Sequence, residues 1–266
     1  QGYTGTIRSN AGTLGRWGGG AYLSLKSGKF GITGNYNYNR ASSPYSDSYM
    51  ERTNSISHNE KYMTQTGRSK YKGPFQFGTL EASYEIDSLN LVSLSVERFN
   101  GDMTNLSNYV VDMKDENHDP YYSYNRNSKS TRTFGSTDLN VDYQHSTHRK
   151  DELLTISYKF DHNPNNSESN TLLENLIGAV PGILSQSQKN INKASTNEHT
   201  AQIDYTYPTR KGQKIEAGIK YILRKSNSET DQWQNDTLVI NSSNDFKHTQ
   251  NIYSAYVSYE MKIRKF

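Results

Sequence analysis

Seven stretches of this chain alternate strictly between apolar and polar residues, the pattern of a β-strand with one apolar face. Leu80, Ala82, Tyr84 and Ile86 alternate with Glu81, Ser83 and Glu85. Leu154, Ile156, Tyr158 and Phe160 do the same against Thr155, Ser157, Lys159 and Asp161. The seven apolar phases hold 29 positions and no charged residue, while the opposite phases carry 13 charges among 27 positions. Chance would put about six charges on the apolar side. Adding three weaker runs gives ten strands, near 3–11, 21–26, 30–39, 74–86, 91–100, 133–145, 153–162, 198–207, 214–225 and 248–264. A chain of 266 residues patterned in this way is all-β.

Composition removes several classes. With no Cys, the chain has no disulfide framework, thiolate metal site or cysteine nucleophile. Thirty Lys and Arg against 27 Asp and Glu leave a net charge of +3, too balanced for a nucleic-acid-binding surface. Mean hydropathy is −0.93, which describes a soluble or disordered chain. Disorder conflicts with an aromatic content of 12 % placed at regular intervals.

The connections separate the remaining architectures. Tight turns near 27–29, 87–90, 146–151 and 208–213 alternate with long polar stretches at 41–72, 104–130, 163–196 and 229–246. In an up-and-down sheet this puts short turns at one end and long loops at the other, as in transmembrane β-barrels. The strands run to roughly the 9–11 residues that cross a bilayer at a tilt. A soluble β-sandwich would have shorter strands and Greek-key connections. The fold class predicted is an antiparallel up-and-down transmembrane β-barrel. The low hydropathy follows, because half of each strand faces a polar lumen. Tyr158, Tyr205, Tyr207, Tyr253 and Tyr259 suit an aromatic girdle at the headgroup level.

Specific stretches carry a family resemblance. Gln202-Ile203-Asp204-Tyr205-Thr206-Tyr207-Pro208, then Lys214-Ile215-Glu216-Ala217-Gly218-Ile219-Lys220-Tyr221, then Asn251-Ile252-Tyr253-Ser254-Ala255-Tyr256-Val257 resemble consecutive strands of outer-membrane β-barrels related to TonB-dependent receptors, of the Bacteroidetes type. Gly2-Tyr3-Thr4-Gly5-Thr6 resembles that family's first barrel strand. Pro208 lacks a donor and suits a strand end, and Gly218 leaves room in the lumen or lets a strand bend. Receptors of this family carry an N-terminal plug and twenty-two strands. At about 27 residues per strand that barrel would need roughly 590 residues. The resemblance therefore implies that residues 1–266 form a partial barrel domain without its plug, and Phe266, out of phase with Tyr259, Met261 and Ile263, does not mark a barrel's end.

No catalytic or metal constellation stands out, and no cofactor is expected. His145 and His148 sit at a turn beside Arg149 and Lys150, and Asp161-His162 has no second acidic pair opposite it. Asp112, Asp115, Glu116 and Asp119 lack the ligand spacing of a calcium loop. Thr171-Leu172-Leu173-Glu174 reads as a capping box, predicting a short amphipathic loop helix near 171–180 that Pro181-Gly182 would stop. Tyr121, Tyr122, Tyr124 and Trp233 are candidate extracellular-loop ligand contacts, able to stack on sugars or other flat ligands.

The candidate lumen charges are Glu81, Glu85, Glu97, Asp142, Lys159, Asp204, Glu216, Lys220 and Arg224, with cross-strand pairing or plug contact as their role and solute contact as the alternative. Through the resemblance, the expected function is TonB-dependent uptake of a small-molecule or oligomeric nutrient across the outer membrane of a Gram-negative cell. The expected partners are outer-membrane lipid, the plug and TonB. A complete ten-stranded outer-membrane enzyme, protease-like, and a soluble all-β ligand-binding module are the other classes that such a pattern admits.

Overall fold

The computed structural model describes residues 2–178, 186–210 and 213–261. Twelve strands form one sheet: β1 (Gly2–Ala11), β2 (Trp17–Ser27), β3 (Phe30–Ser42), β4 (Ser46–Thr53), β5 (Tyr62–Glu85), β6 (Asn90–Lys114), β7 (Pro120–Ser146), β8 (Leu153–Gly178), β9 (Ser187–Arg210), β10 (Gln213–Gln234), β11 (Thr237–Leu238) and β12 (Asn244–Met261). Ten are long and pair antiparallel with their sequence neighbours, in the order β1-β2-β3-β5-β6-β7-β8-β9-β10-β12. β4 and β11 are short and attach to the ends of β5 and β10. β1 and β12 do not pair with each other, so among the described residues the sheet is open at both edges.

Register puts the alternating residues on common faces. Tyr3, Leu25, Ile32, Ala82, Leu94, Val141, Tyr158, Ala201, Tyr221 and Tyr253 stand directly opposite one another across all ten long strands. The next row toward the other end contains Leu80, Val96, Leu139 and Phe160. These side chains are half-buried to exposed, Tyr253 to 78 % and, further along β12, Val257 to 77 %, because among the described residues nothing covers this face. Two residues further along β6, β8 and β10 the same face turns polar, with Arg98, His162 and Lys225. On β1 to β3 it is still apolar at that level, with Ile7, Ala21 and Tyr36. The upper boundary of the apolar band thus slants across the strands, as tilted strands require.

The expected loops at 104–130, 163–196 and 229–246 are mostly strand. β6, β7 and β8 run for 25, 27 and 26 residues, roughly 80–90 Å each. At 41–72, β4 and the first part of β5 form a hairpin of their own. Connections are short at both ends: residues 115–119 join β6 to β7, with the Asp115 carboxylate accepting from the backbone of Asn117 and Asp119 at 2.9 Å. The asymmetry between the ends is therefore one of strand extension rather than loop length. Beyond the apolar band both faces are hydrated, so the period-two signal vanishes while backbone pairing continues.

The helix expected near 171–180 is also corrected. Residues 171–178 belong to β8, paired with β7 and, at Thr171 and Leu172, with β9; residues 179 and 180 lie outside those described. Cross-strand partners such as Ser128 for Thr171 satisfy the backbone that a helix would have satisfied internally. An irregularity in the β7–β8 register between Ser123 and Asn125 is taken up at Asn175, at φ 52°. The expected final strand, 248–264, begins earlier, at Asn244, and residues 262–266, Phe266 among them, lie outside the described range.

Candidate functional site

The face opposite the apolar band carries the nine predicted charges. Nearest the short turns, Glu85 meets Lys26 at 3.3 Å, Asp142 accepts from the Ser157 hydroxyl at 2.5 Å, and Glu216 meets Lys214 at 2.6 Å. Lys214 also reaches Glu260 at 3.0 Å. Asp204 accepts from the Gln202 amide at 2.8 Å and from the Tyr256 hydroxyl at 2.6 Å. Glu81 stands opposite Thr33 and Ser95, and Lys220 opposite Gln202 and Ser254.

One row concentrates charge. Glu97, Asp138, Asp161 and Glu198 stand side by side on β6, β7, β8 and β9, and Arg224 continues the row on β10. Directly opposed like charges destabilise a sheet. Lys159, one pleat away on the same face, offsets them with its ammonium 2.7 Å from Asp161 and 3.8 Å from Asp138. The Arg224 guanidinium donates to Glu198 at 2.7 Å. Asp161 is only 8 % exposed, so its charge depends on Lys159. Glu97, Lys159 and Arg224 are readable from parity; Asp138, Asp161 and Glu198 complete the row only once register is known.

Above this row Phe99 packs against Phe75 and Phe134, with ring centroids 4.7 and 5.7 Å apart. Gly101 makes room for them: a Cβ there would lie 3.0 Å from the Phe134 ring and 3.3 Å from that of Phe75. Sequence reasoning missed this cluster, because these residues fall where alternation fades.

The four aromatic candidates divide. Tyr122 is buried with Val111 and Met113, and its hydroxyl donates to Glu60 at 3.2 Å. Burial, reinforced by the Glu60 carboxylate, pushes its pKa up. Tyr121 and Tyr124 flank it at 5.5 and 6.2 Å between centroids. These tyrosines form a small packing cluster near the hairpin tips. Trp233 stands apart and lines a groove of about 850 Å³ that crosses β6 to β10 far beyond the apolar band. Tyr45, in the β3–β4 connection, lines it too, and its ring carries the Lys70 ammonium at 4.6 Å and the Arg68 guanidinium at 4.7 Å.

Hydrogen bonds hold the groove's polar groups. The Asn108 amide donates to Asn127, which donates to Glu174, both at 2.7 Å. Asn170 donates to Glu168 at 3.0 Å, and Lys189 lies 3.3 Å from the same carboxylate. First the Asn170 amide, then Lys189, hold the Glu168 carboxyl below the usual range. The turn at Asn235 and Asp236, both at positive φ, closes β10 onto β11 and brings Asp236 to the groove.

Residues 145–266 match the family model of the outer membrane protein β-barrel family. No curated protein and no solved structure matches the chain. An antiparallel sheet with an exposed apolar band, and this match over its last strands, define an outer-membrane β-barrel protein. The outer membrane is its location.

Proposed function

We propose that this sheet is part of the wall of a larger receptor barrel that takes up a nutrient with energy supplied through TonB. The observation carrying the proposal is the pair of open edges. A bilayer admits no unpaired strand edge, so β1 and β12 need partner strands to be stable there. The end with long strand extensions faces outside, as in other outer-membrane barrels. The charged face then lines the lumen, where a plug would meet the acid row and the phenylalanine cluster. Side chains on this face bind and guide solute and carry out no covalent chemistry.

Cysteine pairs introduced at Thr4 or Thr6 on β1 and at Ser254 or Tyr256 on β12, in the full gene product in its own membrane, test the architecture. The larger barrel predicts no disulfide between these strands; efficient bridging would mean a closed ten-stranded barrel. Uptake is tested by comparing accumulation from a panel of radiolabelled nutrients in wild-type and deletion strains. A protonophore should reproduce the deletion's defect.

A further inference from the structure

The groove lies on the wrong face to serve a lumen. Lys189, Asn170 and Lys129 stand in one row with Trp233, in phase with Ala201, Phe160, Leu139 and Leu223 of the apolar band. From Leu223 to Trp233 is ten residues, roughly 33 Å along the strand. If the long extensions face outside, as the proposed function holds, the groove opens outward, above the surrounding leaflet.

We infer that this groove binds a neutral saccharide chain, the glycan of the surrounding outer-leaflet lipopolysaccharide. The lining selects that chemistry. Lys129 and Lys189 in the lining are equalled in number by Asp231 and Asp236, and Arg68 and Lys70 at the Tyr45 ring by Glu168 and Glu174 beside the groove, so no surplus charge favours a phosphate or carboxylate ligand. Asparagine amides at 108, 127 and 170 interrupt the apolar lining, which rules out an acyl chain. Fixed amides and carboxylates match vicinal hydroxyls with donors and acceptors together, and the Trp233 and Tyr45 rings offer flat apolar surfaces to the faces of sugar rings. The Asn108–Asn127–Glu174 chain sets donor directions before a ligand arrives, reducing the ordering cost of binding. Its volume is within the range of small-ligand sites, and its course across five strands suits a short linear chain.

The test uses the full gene product in detergent with every tryptophan other than Trp233 replaced by Phe, Trp17 among them, so that Trp233 reports the groove. Lipopolysaccharide bearing its full glycan, and the polysaccharide released from it, should both shift Trp233 fluorescence saturably, whereas lipid A stripped of sugar should not. In the original Trp17 background, W233A and N127A should weaken binding of radiolabelled polysaccharide at least tenfold, with the heat-shifted gel mobility of a folded barrel retained. Equal response to lipid A, or unchanged binding by both folded variants, would overturn the inference. Response to the released polysaccharide but not to intact lipopolysaccharide would overturn the assignment to the leaflet. N235C labelled on whole cells by a membrane-impermeant maleimide checks orientation independently. Labelling without saccharide binding defeats this inference alone, and absent labelling defeats the outward orientation of the long extensions.

Discussion

Tyr256 on β12 reaches across Gly218 on β10 to donate its hydroxyl to Asp204 on β9, at 2.6 Å. A Cβ on Gly218 would collide with the Tyr256 ring and with the Asp204 carboxylate. The glycine is a requirement of a neighbour's side chain rather than of its own backbone, whose φ is not positive. G218A should therefore lower stability by about 1–3 kcal/mol, as overpacking does elsewhere. Adding Y256A should recover part of that loss in urea unfolding in micelles. Strict additivity of the two changes would show that the ring and the missing Cβ do not compete.

The two faces should tolerate charge unequally. Val141 lies in the apolar row and Ser95 on the charged face. V141R should cost about 2–4 kcal/mol in lipid vesicles, and S95R much less. Equal costs would mean that Val141 does not face lipid.

Lys159 should matter through the carboxylates that it separates. K159M leaves Asp138 and Asp161 facing each other without a cation. Because Lys159 is nearly half exposed, the expected loss is about 1 kcal/mol rather than the larger value of a buried pair. K159M/D138N should regain most of it in the same unfolding measurement. A double variant no more stable than K159M would contradict this account of the row.

Glu168 gives a pH prediction outside the membrane. Its carboxyl is held below the usual range, so its contribution is present above the ordinary glutamate pKa and is lost as pH falls through the lowered one. Carboxylate NMR with labelled glutamate should find its midpoint below the ordinary glutamate value. N170A and K189M should each raise the midpoint, the first by removing the amide hydrogen bond and the second by removing both a hydrogen bond and a charge.

Much of the sheet was legible because one face meets lipid. Wherever Leu154, Ile156 and their neighbours alternate with polar residues, strand, phase and face follow together. Above the band that contrast is gone: Ser128 and Thr171 are as polar as Lys129 and Asn170 on the other side, so nothing in the sequence separates paired strand from loop. The same loss let Thr171-Leu172-Leu173-Glu174 pass for a helix start. The nine charges were readable by parity, but their grouping required register, which decides that Asp138 meets Asp161. Trp233 was legible as an aromatic far from the band; the asparagines beside it became meaningful only when five strands were aligned.

The long hairpins are hydrogen-bonded sheet almost to their tips, and that affects how such a surface can diversify. In a flexible loop a substitution changes shape and chemistry together. On β6 to β10 the backbone fixes the height and direction of every side chain, so replacing Asn127 or Trp233 would change what is presented without moving where it is presented. Selection acting on this surface can edit one contact at a time.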